Sequence, residues 1–544
     1  MGNWTGTMDG HLISLVHIEA GAEGKLFGTF ANHEAPLDAP DIHAQTTTIA
    51  DVVTTDDHLS FSVPGAGGSF DRHWDAAKAS WIGMFQYGKG GWRSKLDLKR
   101  TNLTSLPPAA LPVVYASPDE ETRALDNLVQ AWVDDGRFMG SVLVTQNGKV
   151  LLDKGYGMAD VTTGRPDLSD TIYPIGSLTK QFTAVAILLL QERGRLKVSD
   201  PIANYFPDAP ASWAHITLFN LLTHTSGLGD DNNDFPGHWA EDKTPAQLWT
   251  AIRNESLKFE PGTQYSYSNA GYAVLGLIIE KVSGQSYGDF LHKNLFNPLG
   301  MTDTAYNPSP SWGQARGHLI RIDGAIPTPS PYALSLGFAA AGLVSTTHDM
   351  ALWQEKLFGG EVLSPASLNQ MITPFKANYG FGVAVNSADG HLDISHNGHV
   401  TGFYTSAYYE LDDKLSIVVF SNVDTNSAVI LGNDLVKVAR GVPGRPLPKS
   451  YQVSPAVLAN YAGTYVVSPT YQFVVAYENG RMTVGGEAEP KVRIYASSET
   501  MFYSKSWNNL TLEFVKASDG TMSVILHYAD GEPEMMGKRL AIQP

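Results

Sequence analysis

Apolar and polar residues alternate in short stretches from the start of the chain. The runs "HLISLVHIEA" and "HLSFSVPG" show this, and glycine-rich segments such as "PGAGGS" and "YGKGGW" separate one run from the next. Alternation between turn signals predicts antiparallel strands with one buried face, so residues 1–102 read as a small β barrel or sandwich. The prolines of "LTSLPPAALPVVYASPDE" mark residues 103–118 as a linker. Residues 119–440 mix two periods. Strand-like runs such as "GSVLVTQNGKVLLDKGYG" and "KLSIVVFSN" stand beside long helical ones, the segment after Ser177 and "NAGYAVLGLIIEKVSG". A second linker around "GVPGRPLPKS", residues 441–452, leads to residues 453–544, where short alternating strands return. The expected fold class is multidomain α+β, with β accessory domains at both ends.

The two ends share a detail. "NWTGTM" opens the first β domain and "LDLKRT" closes it, while "NYAGTY" opens the last and "MMGKRL" closes it. An aromatic residue two places before a glycine suits a strand that needs a bulge or a close backbone approach, with the ring plugging a barrel end. Trp4, Trp74, Trp81 and Trp92 are expected to fill the core of the first domain. His11 and His17 read as ordinary strand residues.

Composition narrows the function classes. At 544 residues the chain is too long for one core and suggests three or four domains of roughly 100–200 residues. A net charge of −17, without any Lys/Arg run, argues against nucleic acid or an anionic membrane as the main partner, since either needs a concentrated basic surface. The lack of cysteine excludes disulfides, thiolate metal sites and cysteine nucleophiles, and leaves the redox compartment open. The longest apolar run lies inside Phe182–Leu190, far short of the roughly 20 residues that span a bilayer, so it predicts a buried helix. No signal peptide precedes "MGNWTGT", which fits a periplasmic or secreted protein whose leader was removed and equally a cytoplasmic one.

Candidate chemistry begins in "YPIGSLTKQFTAVAILLLQERG", where a turn becomes an apolar helix. A serine hydroxyl is a poor nucleophile near neutral pH and needs a base within hydrogen-bond reach. Ser177 and Lys180 are three apart and share a helix face, so the amine can return to the hydroxyl. Gly176 lets the backbone approach a substrate, and the N–H groups and dipole at a helix start favour an oxyanion there. The bare S-x-x-K pattern also arises from an N-cap serine followed by a solvated lysine, so its meaning depends on its company. "FEPGTQYSYSNAGYAVLG" supplies Tyr267 and Asn269 on a tight loop entering a helix, where both can point into one cleft. "DISHNGHVTGFYTSAYYELDDKLSIVVFSN" puts His396-Asn397-Gly398 on a glycine-interrupted strand that can offer a backbone N–H to a bound carbonyl.

With these motifs in the order S-x-x-K, Y-x-N, H-x-G, and with "ITLFNLLTHTSGL", "NPLGMTDT", "AAAGLVSTTHDMALW" and "HNGHVTGF" among them, the chain resembles the penicillin-recognising serine hydrolases. That superfamily holds class C β-lactamases, D-aminopeptidases, DD-peptidases and related esterases. The resemblance spans about Asp119–Val438 and implies a β-lactamase/transpeptidase-like domain, an antiparallel sheet flanked by helices plus a helical subdomain. The two ends resemble lipocalin-like accessory domains.

Carried onto this sequence, the resemblance implies Ser177 as the acylated nucleophile, Lys180 as its base partner and Tyr267 as the proton relay to the leaving group. Asn269, His396, Gly398 and His399 would meet the substrate, the backbone N–H groups of Ser177 and His399 forming the oxyanion hole. Many relatives have glycine after H-x-G, so His399 is expected to add a ring at the cleft wall. Relatives that act on penicillins or C-terminal D-peptides commonly carry a lysine at the position of His396, whereas a histidine, with an ordinary pKa of about 6.5, is mostly neutral above neutral pH. The implied function is a serine acyl hydrolase acting through an acyl-enzyme on carboxylic esters, small amides or D-amino-acid peptides. Alternatives are a β-lactamase or DD-peptidase, and a catalytically silent penicillin-binding-like sensor, against which the full set Ser177, Lys180 and Tyr267 argues. No metal and no organic cofactor is needed, and the expected partner is a small-molecule ester, amide or peptide.

Three other features read as structural. Gly284-Gln285-Ser286-Tyr287-Gly288 matches the G-x-S-x-G nucleophile elbow, but Val274, Leu275, Ile278, Ile279 and Val282 have helical spacing where the elbow needs a strand. Gly284 then reads as a helix C-cap and Ser286 as the next N-cap. His224 in "LLTHTSGL" reads as part of a turn after a helix. "GDDNNDFPGHW" lacks the glutamate and spacing of an EF-hand and reads as a solvated, lid-like loop.

Overall fold

The computed structural model describes residues 2–8, 12–20, 26–32, 47–55, 58–63, 68–75, 80–87, 93–101, 115, 117–229, 241–309, 313–321, 324–327, 332–388, 391–444, 446–469, 471–486, 491–506, 510–516, 520–528 and 535–540. They belong to two compact units, Met1–Val113 with Ser387–Gly390 and Pro448–Pro544, and Val114–Asn386 with His391–Leu447.

At the N-terminal end, eight antiparallel strands from Gly2–Met8 to Arg93–Thr101 close into a barrel, the last pairing with the first through Arg100 and Trp4. Alternation decides what points inward: in His58–Val63 the residues Leu59, Phe61 and Val63 are buried. Trp4 and Trp81 lie in the core with Trp74 packed on it, the three indoles meeting edge to face at 5.2–6.2 Å. Trp92 and His11 lie outside the described residues. His17 is a strand residue hydrogen-bonded to Asn3.

A second closed barrel of eight strands runs from Gly463–Ser468 to Met535–Arg539 and closes through Tyr465 and Arg539. The aromatic-x-Gly signal finds its reason here. Tyr461 stacks on Phe514 at 4.3 Å, and a Cβ on Gly463 would lie 2.7 Å from Arg539 Cδ, so the glycine marks the close approach of the first and last strands.

The second unit is built on a six-stranded antiparallel sheet ordered Lys149–Tyr156, Gly140–Gln146, Leu415–Ser421, Phe403–Glu410, His391–Val400, Ala384–Ala388. Both faces are covered. Val142, Val144, Ile417 and Val419 pack with Leu125, Val129 and Trp132 of the helix Pro118–Asp134 and with Leu431 and Leu435 of Ser427–Ala439. The intervening Leu143, Val418 and Phe420 enter the larger core on the other face. A strand apolar at every position is therefore one buried on both sides. In the larger core the helix Thr179–Glu192 is buried continuously from Thr179 to Leu190, which explains why its sequence is apolar all round. Phe182 of this helix stacks on Trp353 at 4.1 Å. Among the described residues no helix is long and apolar enough to cross a membrane.

Candidate active site

Ser177 sits in a single 3-10 turn, Gly176–Leu178, that leads into Thr179–Glu192. Two glycines let this turn touch the strand His391–Val400. Gly176 has φ +53°, and a Cβ there would lie 2.7 Å from the backbone nitrogen of His399. A Cβ on Gly398 would lie 2.1 Å from the Ile175 carbonyl oxygen and 2.3 Å from Thr405 Oγ1. Side chains at either position would separate the two segments. Thr405 Oγ1 also donates to the Ile175 carbonyl at 2.9 Å, which fastens the turn to the sheet. Ser177 N–H lies in the first turn of a helical segment, where backbone donors lack intrahelical partners.

Lys180, one turn on, is fully buried. Its Nζ is 2.9 Å from Ser177 Oγ and donates to Asn269 Oδ1 at 2.7 Å and to the Ala340 carbonyl at 3.0 Å. It also lies 4.6 Å from the centre of the Tyr267 ring. Two of its tetrahedral positions are thus fixed by oxygens that only accept, and the third faces the serine hydroxyl. A neutral amine held this way directs its lone pair at Ser177 Oγ.

The Ala340 carbonyl is delivered by a break in the helix. Leu334–Ala341 is helical except at Phe338, whose φ of 40° and ψ of −129° are unusual for a bulky residue and cost on the order of 1–3 kcal/mol. Beyond this break the carbonyls of Ala339 and Ala340 accept from Thr183 Oγ1 at 2.7 Å and from Lys180 Nζ. Nothing in a run of alanines signals this role.

Tyr267, Ser268 and Asn269 enter the helix Asn269–Ser283, with Ser268 as N-cap accepting from Gly271 N at 3.0 Å. His224 holds this corner. Its Nδ1 accepts from Ser268 N at 2.9 Å, and its ring lies 4.3 Å from that of Tyr267. Burial, then the neighbouring Lys180 and His396, push its pKa well below the ordinary range, so it is neutral. The sequence pointed to a turn here, and His224 does have φ +55° at the end of Leu218–Leu222, but its grip on the Tyr267 corner was not legible.

The remaining candidates are placed as follows. Asn269, expected to meet substrate, gives its Oδ1 to Lys180. His396 is buried with both ring nitrogens engaged: Nδ1 donates to the Asn397 carbonyl at 2.6 Å, so Nε2 accepts from the Tyr379 hydroxyl at 2.8 Å. Burial, reinforced by Lys180, pushes its pKa down to about 3. It is a locked, neutral ring. His399 keeps its backbone beside Gly176. Its ring stacks on Tyr404 at 4.2 Å and reaches Asp424 at 2.8 Å, on the strand face opposite Gly398.

Ser286 is the N-cap of Tyr287–Leu291 and Gly284 the left-handed C-cap of Asn269–Ser283, so the G-x-S-x-G match is a helix boundary. The loop from Asp230 to Trp239 lies outside the described residues. His391, Glu410 and Asp412 bring potential metal-ligand atoms within 4.8 Å of one another. Arg440 already reaches Glu410 at 2.7 Å and Asp393 at 3.1 Å. His391 and Gly398 stand at opposite ends of one strand, so that cluster is remote from Ser177.

The chain matches the family described as Beta-lactamase over residues 125–440. A penicillin-binding protein of Bacillus subtilis (strain 168) is 30% identical over 441 residues, covering 75% of this chain and 97% of the relative. Among solved structures, the octameric penicillin-binding protein homologue from Pyrococcus abyssi has a TM-score of 0.55 at 24% identity, covering 76% of this chain and 99% of its own. D-amino acid amidase from Ochrobactrum anthropi SV3, complexed with D-phenylalanine, has a TM-score of 0.53 at 25% identity, covering 59% of this chain and 98% of its own.

Proposed function

Because the chain belongs to the β-lactamase family of serine hydrolases, we propose that it hydrolyses neutral carboxylic esters and small amides, D-amino-acid amides and peptides among them, through an acyl-enzyme on Ser177. The observation that carries the proposal is the buried contact of Lys180 Nζ with Ser177 Oγ at 2.9 Å, the amine being held from two other sides by Asn269 and Ala340. The amide class draws on the likeness to D-amino acid amidase. The preference for neutral substrates draws on His396, which is uncharged where a cation would attract a carboxylate. The terminal barrels, residues 1–102 and 453–544, are assigned an accessory role, since none of the site residues above comes from them.

In acylation, Ser177 Oγ attacks the substrate carbonyl while the Lys180 lone pair takes the hydroxyl proton. The carbonyl oxygen becomes an oxyanion facing the N–H groups of Ser177 and His399. As the tetrahedral intermediate collapses, the bond to the alkoxide or amine breaks, and Tyr267 passes that group the proton that Lys180 collected. Water then attacks the acyl-enzyme, loses its proton along the same route in reverse, and leaves the carboxylic acid and the free serine.

Intact-mass measurement after exposure to a p-nitrophenyl ester, a D-aminoacyl amide and a penicillin tests this. The acyl adduct is expected with the ester and the amide, and only when Ser177 is present. Near-normal ester turnover by Ser177→Ala would overturn the proposal.

A further inference from the structure

We propose that His224 is a positioning residue that fixes Tyr267 for proton transfer, an inference that rests on the Ser177–Lys180–Tyr267 reading. His224 binds the backbone on both sides of the tyrosine. Its carbonyl accepts from Ser266 N at 2.9 Å and its Nδ1 accepts from Ser268 N at 2.9 Å. The two bonds leave Tyr267 between them, and the imidazole lies against its ring with an interplanar angle of 30°. Tyr379, Tyr272 and Tyr265 surround the imidazole at 4.7, 5.1 and 5.9 Å.

The hydrogen bond to Ser268 fixes the chemistry. Nδ1 can accept only when it carries no proton, so the hydrogen is on Nε2, and protonation would set Nδ1–H against Ser268 N–H. The groups that face the ring, Lys180, His396 and the four tyrosines, offer no carboxylate to stabilise an imidazolium. His224 therefore stays neutral and is no proton carrier. Its Nε2 finds no hydrogen-bond partner among the described residues, which is costly in a buried site. An apolar residue would remove that orphan but leave Ser268 N–H without its acceptor. What histidine adds is a rigid acceptor at Nδ1 on a residue with φ +55°.

The test compares kcat and KM on p-nitrophenyl acetate for the full chain carrying His224→Ala, His224→Asn, Tyr267→Phe, and Tyr267→Phe with His224→Ala. His224→Ala should lower kcat by about 10²-fold with little change in KM, the scale expected when a reacting group moves by ~1 Å. Asparagine puts Oδ1 near the place of Nδ1 and tolerates positive φ, so His224→Asn should recover most of that loss. In the Tyr267→Phe background His224→Ala should add almost nothing, because residues acting as a unit are not additive. Fully additive losses would overturn the inference while leaving the Ser177–Lys180–Tyr267 reading intact. A Tyr267→Phe enzyme with near-normal kcat would overturn that reading and this inference with it. Should His224→Ala not fold, His224→Asn against His224→Gln decides: faster turnover by Asn supports the positioning role, and equal rates overturn it.

Discussion

A Cβ placed on Gly176 would lie 2.7 Å from the backbone nitrogen of His399. The turn that carries Ser177 and the strand that carries His399 are therefore in direct backbone contact, and their N–H groups can face one bound oxygen. Gly176→Ala must push the strand away and also hold an L side chain at φ +53°. Acylation should fall by about 10²–10³-fold, the effect of losing one oxyanion donor. Stopped-flow acylation by a p-nitrophenyl ester measures this directly, and a normal rate would remove His399 from the proposed hole.

Asn269 offers a second, more selective test. Its Oδ1 accepts from Lys180 Nζ at 2.7 Å, and Asn269→Asp keeps an acceptor there while adding a negative charge. An adjacent opposite charge favours the ammonium form, so the neutral amine needed for attack would appear only at higher pH. The acid limb of kcat/KM should move up by about 1–3 pH units. A profile that stays in place would mean that Lys180 is not the base that titrates.

The sequence made the side chains of this site legible more readily than their supports. Ser177 and Lys180 could be paired because helix spacing is local, and Gly176 and Gly398 because a glycine beside a reactive residue has few other uses. The two barrels were legible for the same reason, since strand alternation needs no distant partner. The Ala340 carbonyl was not, because a backbone acceptor leaves no mark on residue identity and the break at Phe338 lies in a helix-forming run. The contacts of His224 with Ser268 and of His399 with Tyr404 and Asp424 depend on tertiary packing that spacing does not encode.

Buried titratable groups make the fold pH-dependent in opposing directions. His396, at about 3 against an ordinary value of about 6.5, leaves the unfolded chain binding a proton that the native state refuses. Stability is therefore complete above about pH 6.5 and falls as the pH drops toward 3, by about 1.4 kcal/mol per pH unit, with His224 acting in the same direction. Asp167 does the reverse. Burial pushes it up to about 6 despite hydrogen bonds from Tyr173, Thr171 and Ser141, so the native state holds the extra proton between about pH 4 and 6, and its contribution is lost as the pH rises through that window. Asp167→Asn removes the opposing group. Its unfolding free energy, from urea titrations at pH 4.5 to 7.5, should rise more steeply with pH than that of the wild type below pH 6, by about 1.4 kcal/mol per pH unit. Parallel curves would show that Asp167 does not titrate in this range.

The proposed preference for neutral substrates rests on His396. With Nδ1–H on the Asn397 carbonyl and Nε2 on the Tyr379 hydroxyl, the ring has no free nitrogen, and its pKa near 3 keeps it neutral throughout the working pH range. The ratio of kcat/KM for an anionic ester to that for a neutral one should therefore be low and flat between pH 5 and 9. A rise in that ratio on acidification would mean that His396 becomes charged after all. His396→Lys puts an ammonium where the imidazole stood, with the Tyr379 hydroxyl able to accept from it. One charge-assisted contact contributes about 1.5–3 kcal/mol, so the ratio should climb by at least about 10-fold in that variant. Penicillins, which carry a carboxylate, belong with the anionic substrates and should be turned over poorly by the wild type and better by His396→Lys. Wild-type penicillin turnover that rivals its best neutral ester would refute the charge argument, because the substrate carboxylate would then need a cation that His396 does not supply.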